Sequence, residues 1–177
     1  MKNKLYFLFL ALLIIACSKP EPRKPIVRKT SSFMRESVER NKALNKLEEK
    51  LILQKIESDS AHVYAVSPHG FWYYYVEKDS VNTLFPVKGD EVLFSYEIKD
   101  LKDSIIYSKE ELGDKNYLVD QEDLISGLQE GIKLMKEGEV VTFLFPSYKA
   151  YGYSGFEKIN SNQPLIYTVH LKKIISK

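Results

Sequence analysis

Few residues in this chain have the types and spacing for covalent chemistry. His62, His69 and His170 lie in three separate stretches without metal-ligand spacing. Serine, histidine and aspartate are all present, but no nucleophile-elbow motif frames a serine. Gly152 and Gly155 have neither the spacing nor the context of a phosphate-cradling loop. Carboxylate pairs such as Glu48-Glu49 and Glu110-Glu111 sit in polar runs and read as solvated faces. The unusual chemistry is phenolic. Residues 145–155, FPSYKAYGYSG, put Tyr148, Tyr151 and Tyr153 into a run that is neither a good strand nor a good helix. Tyrosine also dominates the aromatics, with 12 Tyr against 9 Phe and 1 Trp. Each Tyr offers an apolar ring and a hydroxyl together, which suits a semi-polar cavity. A reaction served by this set needs no general base, nucleophile, metal or cofactor.

Those residues need a scaffold, and the 177-residue chain holds one domain plus appended material. It is 44% hydrophobic, enough for a core, and its net charge of +2 is mixed along the chain, which argues against a nucleic-acid partner. Lys2 and Lys4 precede an apolar run from Leu5 to Ala16 that is too short to span a bilayer, for which ~20 apolar residues are needed. The single cysteine, Cys17, follows Ile14-Ile15-Ala16. This segment resembles a bacterial lipobox, which implies a signal peptide over 1–16, cleavage before Cys17 and a lipid anchor on its thiol. More than one acyl chain there, palmitate among them, gives stable membrane attachment. Residues 17–30, with Pro20, Pro22, Pro25 and five basic side chains, read as an extended tether.

From Ser31 the pattern becomes helical. Met34, Val38, Leu44, Leu47, Leu51, Ile52 and Ile56 occupy about half of a helical wheel, predicting an amphipathic helix over 33–57 within a segment 31–60. It serves either as a homodimer seam or as packing for its own domain. Beyond it, period-two runs predict strands at 62–66, 71–77, 91–98, 105–107, 140–145 and 165–174, punctuated by turns at Ser67-Pro68-His69-Gly70, Val87-Lys88-Gly89-Asp90 and Asp103-Ser104. Leu124, Ile125, Leu128, Ile132 and Met135 recur at helical spacing after the acidic run 120–123, and Gly138 is a natural stop. Gly127 and Gly131 inside that helix each cost ~1 kcal/mol against alanine, so a sheet or ligand must approach it closely. The fold class is α+β: an antiparallel sheet over 61–177 with one short internal helix, one sheet face remaining wet.

One reaction asks only for such a pocket. Rotation about an X–Pro bond breaks no sigma bond and must overcome only amide resonance, ~18–20 kcal/mol. The planar amide is charge-separated and well hydrated, so an apolar aromatic pocket with one or two donors favours the twisted form. A rate gain of ~10⁵ needs ~7 kcal/mol of that preference. The stretches VKGDEVLFSYEIKD, DLISGLQEGIKLMKEGEVVTFLFPSYKAYG and NQPLIYTVHLKKI resemble, in order and spacing, FKBP-type peptidyl-prolyl isomerases over roughly residues 70–175. With the lipoprotein-like start, the whole chain is similar to the gliding-motility-associated lipoprotein isomerases of that family.

The resemblance implies a half-barrel sheet wrapped round the short helix, with the proline pocket between them. It makes Tyr96, Tyr107, Ile125 and Tyr151 the catalytic set, with the Tyr151 hydroxyl donating to a substrate carbonyl. Tyr117, Leu124, Leu128, Ile159, Tyr167 and Ser108 then line the pocket, while Tyr148 and Tyr153 pack over the core edge. Two positions depart from the family pattern: Leu128 stands for a floor tryptophan and Ser108 for an aspartate. The implied function is a membrane-anchored isomerase of the bacterial cell envelope, acting on proline-containing or unfolded clients. The alternative is a non-catalytic chaperone or envelope-machine subunit of the same fold. Because these pocket residues all follow Ala61, the helix is expected to be separable from catalysis.

Overall fold

The computed structural model describes residues 30–176, with side chains from Phe33 onward. The signal-like run, Cys17 and the proline-rich tether lie outside the described residues. The chain divides into two units, one ending at Ser37 and one running from Val38. The second unit holds the whole sheet and the greater part of the first helix, α1 (Thr30–Ser58), which begins upstream of Val38.

Helix α1, rich in the strong helix formers Leu, Lys, Glu and Gln, begins three residues before the predicted start, at Thr30, and ends one residue beyond the predicted end, at Ser58. Asp59 ends it by local capture. Its carboxylate accepts from the Ala61 N–H, His62 Nδ1 and the Tyr64 hydroxyl at 3.0, 2.8 and 2.8 Å. The bonds from His62, Tyr64 and Ala61 hold that carboxyl down at about 2. They also tie up the segment predicted to begin the first strand. Strand β1 is therefore only Ala65–Ser67. Gly70, at φ +80°, closes the expected turn with its N–H donating to the Ser67 carbonyl at 3.1 Å. Strand β2 follows as Phe71–Glu77 and β3 as Glu91–Lys99.

Strand β4 (Ile105–Tyr107) and an unpredicted strand β5 (Lys115–Leu118) both pair with β3, at its two ends, and a one-turn helix α2 (Lys109–Leu112) separates them. Helix α3 (Ser126–Ile132) precedes β6 (Val140–Phe145), and β7 (Leu165–Ile175) closes the sheet. All pairings are antiparallel, in the order β1-β2-β6-β7-β3-β4, with β5 beside β3.

Helix α3 is shorter than its apolar periodicity suggests. The acids upstream of it are used elsewhere: Glu122 accepts the Leu118 N–H at 3.0 Å, and Asp120, at φ +56°, pairs with Lys133 at 3.1 Å. Its two glycines are explained by the sheet. A Cβ at Gly127 would lie 2.6 Å from Phe145 Cδ1, and one at Gly131 3.0 Å from Phe143 Cε1.

Alternation along the strands sends Phe94, Ile98, Phe143, Phe145, Tyr167, Val169 and Leu171 to the α3 side, where they form the main core with Leu128, Ile132 and Met135. The expectation of a wholly wet opposite face is corrected. Ile52 of α1 packs there on Leu144 and Ile166, flanked by Ile56, Tyr64, Trp72 and Leu101. The half-wheel expected to be apolar is thus displaced: Val38, Leu47 and Leu51 stay exposed, while Glu48, one turn before Ile52, is only 2% exposed. Glu48 does not belong to a solvated face, contrary to the reading of Glu48-Glu49 from sequence.

Candidate functional site

The antiparallel pair β3–β7 sets Tyr96 opposite Val169 and Ile98 opposite Tyr167. The Tyr96 and Tyr167 rings, one register step apart on the same face, stack at 5.6 Å and 11°. Phe94 extends the stack beyond Tyr96, and Phe145 meets Tyr167 at a tilt. Tyr107, opposite Ile98 on β4, and Tyr117, opposite Val92 on β5, are both buried beside them. Leu128 and Ile159, at 1% and 3% exposure, belong to the same apolar cluster, with Leu124, Ile125, Tyr96 and Tyr151 half-buried against it. The nine apolar and aromatic residues singled out from sequence therefore converge.

Tyr151 reaches this cluster from the loop after β6. Pro146 opens a 3-10 turn over Ser147–Lys149, and Tyr151 begins a second over Gly152–Ser154. The Tyr167 hydroxyl donates to the Tyr151 hydroxyl across 3.5 Å, a long bond. A phenol both accepts and donates, so Tyr151 keeps its own proton for another acceptor. Burial, then the neighbouring Tyr151, pushes the Tyr167 hydroxyl well above the usual phenol range. Burial does the same, more weakly, for Tyr96. Both phenols are firmly neutral near pH 7, and the wall carries no charge.

The other hydroxyls are engaged in structure. Tyr107 donates to Glu157 Oε2 at 2.8 Å and accepts the Lys158 N–H at 3.2 Å. Tyr117 accepts the Asp120 N–H at 3.1 Å. Ser108 caps α2, accepting the Glu111 N–H at 3.3 Å. At the start of α3 the Ile125 carbonyl accepts from Leu128 and Gln129, and Gln129 Nε2 donates to the Leu124 carbonyl at 2.8 Å. No acceptor among the described residues takes the Ile125 N–H, which leaves it a second donor for a bound carbonyl.

Three neighbours went unrecognised in the sequence. Phe156 stacks on Tyr151 at 5.2 Å, and Glu157 and Lys158 fasten Tyr107. No periodicity marks them; a tight Phe156–Ile159 bridge brings them in. The expectation that Tyr148 and Tyr153 fold over the core edge is corrected. Tyr153 is 84% exposed, and Tyr148, at 39%, turns its hydroxyl to Glu49 and the Gly70 carbonyl. A separate groove of about 610 Å³ runs along polar strand positions that include Ser95, Glu97, Thr168 and His170. It shares only Tyr96 with the aromatic cluster and is lined mostly by polar and charged residues, so the donors at Tyr151 and Ile125 mark the better candidate.

A family model described as FKBP-type peptidyl-prolyl cis-trans isomerase matches residues 82–172. A curated protein of Neisseria meningitidis serogroup B, a probable FKBP-type peptidyl-prolyl cis-trans isomerase FkpA, is 38% identical over 92 residues, which cover 50% of this chain and 33% of that one. The match thus spans about a third of that relative's length. Among solved structures, a peptidyl-prolyl cis-trans isomerase of Pseudomonas syringae pv. tomato aligns with a TM-score of 0.61 at 18% identity, over 76% of this chain and 96% of that one. FkpA of Escherichia coli aligns with a TM-score of 0.61 at 20% identity, over 99% of this chain and 82% of that one. At such identities the structural likeness concerns the fold.

Proposed function

The chain belongs to the FKBP-type peptidyl-prolyl cis-trans isomerase family, and from that premise we propose that it catalyses rotation about X–Pro bonds in peptides and unfolded proteins. The observation that carries this reading is the Tyr151 hydroxyl, which accepts from Tyr167 and keeps a proton to donate beside an uncharged aromatic wall. A proline ring set against Tyr96, Tyr167 and Leu128 leaves water behind. As the amide twists, its nitrogen loses conjugation and the carbonyls on either side redistribute charge. The Tyr151 proton and the Ile125 N–H are placed to hold those carbonyls, while the apolar wall disfavours the more polar planar form. The chain's own residues then supply binding, orientation and desolvation, with no proton transferred.

The test is isomerisation of a short proline peptide by the full-length chain, measured against the uncatalysed rate at low temperature. Acceleration proportional to enzyme concentration is the expected result. Proline-peptide binding with no acceleration would replace this reading with the non-catalytic chaperone. That alternative draws support from Ser108, whose side chain caps α2 where the family pattern has a charge.

The same proposal makes the protein a lipid-anchored folding helper of the cell envelope, with motility components among its clients on the strength of resemblance alone. Replacing Cys17 by serine is expected to abolish incorporation of labelled fatty acid, and retained label would refute the anchor. Self-association through α1 is part of it too, supported by the exposed Leu47 and Leu51 beside the buried row of that helix. Sedimentation of a single monomeric species at high concentration would remove it.

A further inference from the structure

Glu48 is a carboxylate at 2% exposure, 99 residues away in sequence from its partner. Its Oε2 accepts the Ser147 backbone N–H at 2.7 Å, and its Oε1 accepts the Ser147 hydroxyl at 2.7 Å. Ser147 is itself only 2% exposed. The need for such a partner follows from local sequence. Pro146 opens the 3-10 turn and offers no side-chain cap, so the first N–H of that turn has no acceptor nearby. A buried N–H left unmatched costs ~1–3 kcal/mol, and a charged acceptor gripping two donors makes bonds roughly twice as strong as neutral ones. Glu49 adds to the grip, accepting the Tyr148 hydroxyl at 3.4 Å.

From that point the chain has little freedom before it reaches Tyr151. The Lys149 N–H donates to the Pro146 carbonyl, and the Ala150 N–H to the Ser147 carbonyl, both at 2.9 Å. The Lys149 carbonyl accepts the Ser126 hydroxyl at 3.4 Å and would lie 3.0 Å from a Cβ at Gly127. The segment from the Glu48 contact to the Tyr151 hydroxyl is thus one short hydrogen-bonded turn wedged against the start of α3.

We propose that Glu48, on the N-terminal helix, is a positioning residue for the isomerase site: its buried carboxylate fixes the turn Ser147–Lys149 and, through it, the Tyr151 donor. This inference rests on the isomerase reading above. It makes α1 part of the catalytic unit, since the helix reaches the Ser147–Tyr151 loop from the sheet face opposite the aromatic wall. The expectation that the helix is separable from catalysis gives way to this one.

The test uses the full-length chain with Glu48→Ala and Glu48→Gln, read by peptide turnover and by residue-resolved amide exchange. Glu48→Ala is expected to lower kcat about tenfold with KM changed less than about twofold, because the lost positioning matters where the amide is twisted. Amide exchange over residues 147–151 should quicken by about tenfold or more, while the β3–β7 amides keep wild-type protection. Glu48→Gln keeps an oxygen for the Ser147 N–H and offers its NH₂ to the Ser147 hydroxyl but loses the charge, so turnover and protection should lie clearly between those of Glu48→Ala and wild type. Unchanged turnover in Glu48→Ala, equal damage in both variants, or exchange that quickens across the whole sheet would overturn the proposal. A wild-type chain without turnover would instead refute the isomerase reading. The clamp would then be judged by exchange alone, and would stand only if the loop loosens and the sheet does not.

Discussion

Tyr151 has two attachments, and each predicts a different loss. Toward the substrate it donates a neutral hydrogen bond that strengthens as the amide twists. Tyr151→Phe should therefore lower kcat/KM by roughly two- to tenfold, the equivalent of ~0.5–1.5 kcal/mol. Toward the core it accepts from Tyr167, which is only 1% exposed, so the same change strands a buried donor. A stability loss near ~1 kcal/mol should accompany the kinetic one, at the low end for an orphaned donor because the bond is long. Leu128→Ala separates packing from chemistry. At 1% exposure among Ile132, Phe145 and Tyr167, it should cost ~2–5 kcal/mol in urea denaturation. Wild-type turnover by Tyr151→Phe, with a marked shift in unfolding, would make Tyr151 a core residue and remove its hydroxyl from the mechanism.

At the scale of elements, strand periodicity carried most of the fold. Strands β2, β4 and β6 have the bounds their alternation predicts, and β3 and β7 each run one residue further. What stayed hidden was set by contacts distant in sequence. Strand β5 is four residues long and lies at the sheet edge, too short to show a period. Glu48 looks like any other glutamate on a charged helix until Ser147 arrives. The site residues were named through the family resemblance, and periodicity supports only some of them: Tyr96 and Tyr167 fall on inward-facing positions of predicted strands, whereas Tyr117, Tyr151 and Ile159 lie in segments with no legible period. The glycines of α3 were legible as well, and they yield a sharp test. Gly127→Ala gains ~1 kcal/mol of helix propensity. The added methyl would stand 2.6 Å from Phe145 Cδ1, and that ring is fully buried and flanked by Phe71, Phe143 and Tyr167. The ring cannot yield cheaply, so the variant should be destabilised by ~1–3 kcal/mol net of the propensity gain. Gly131→Ala, whose closest approach is 3.0 Å, should cost less. Chemical denaturation with an unchanged m-value measures both, and a stabilised Gly127→Ala would mean that α3 stands off the sheet.

At the scale of the whole molecule, the unit from Val38 onward depends on tyrosines that must remain neutral on both faces of its sheet. On the α3 side, burial raises Tyr167 and Tyr96, and burial followed by the Glu139 charge pushes Tyr75 up to about 12. On the α1 side, burial and then the bond to Asp59 raise Tyr64. In the unfolded chain these phenols ionise near ~10. A group whose folded pKa lies above its unfolded value contributes its full stabilisation below the unfolded pKa, and loses it as pH rises toward the folded one. These residues therefore leave stability untouched at neutral pH and withdraw it from about pH 10 upward. The urea midpoint should stay level from about pH 7 to 9 and fall steeply above about 10, as tyrosinate absorbance rises in the same cooperative step. Tyr75→Phe loses the bond to the Leu134 carbonyl at 3.1 Å, so it should start lower at neutral pH. Having nothing to ionise at that position, it should then decline less steeply than wild type. Parallel decline in the two proteins would remove Tyr75 from the groups that govern alkaline unfolding.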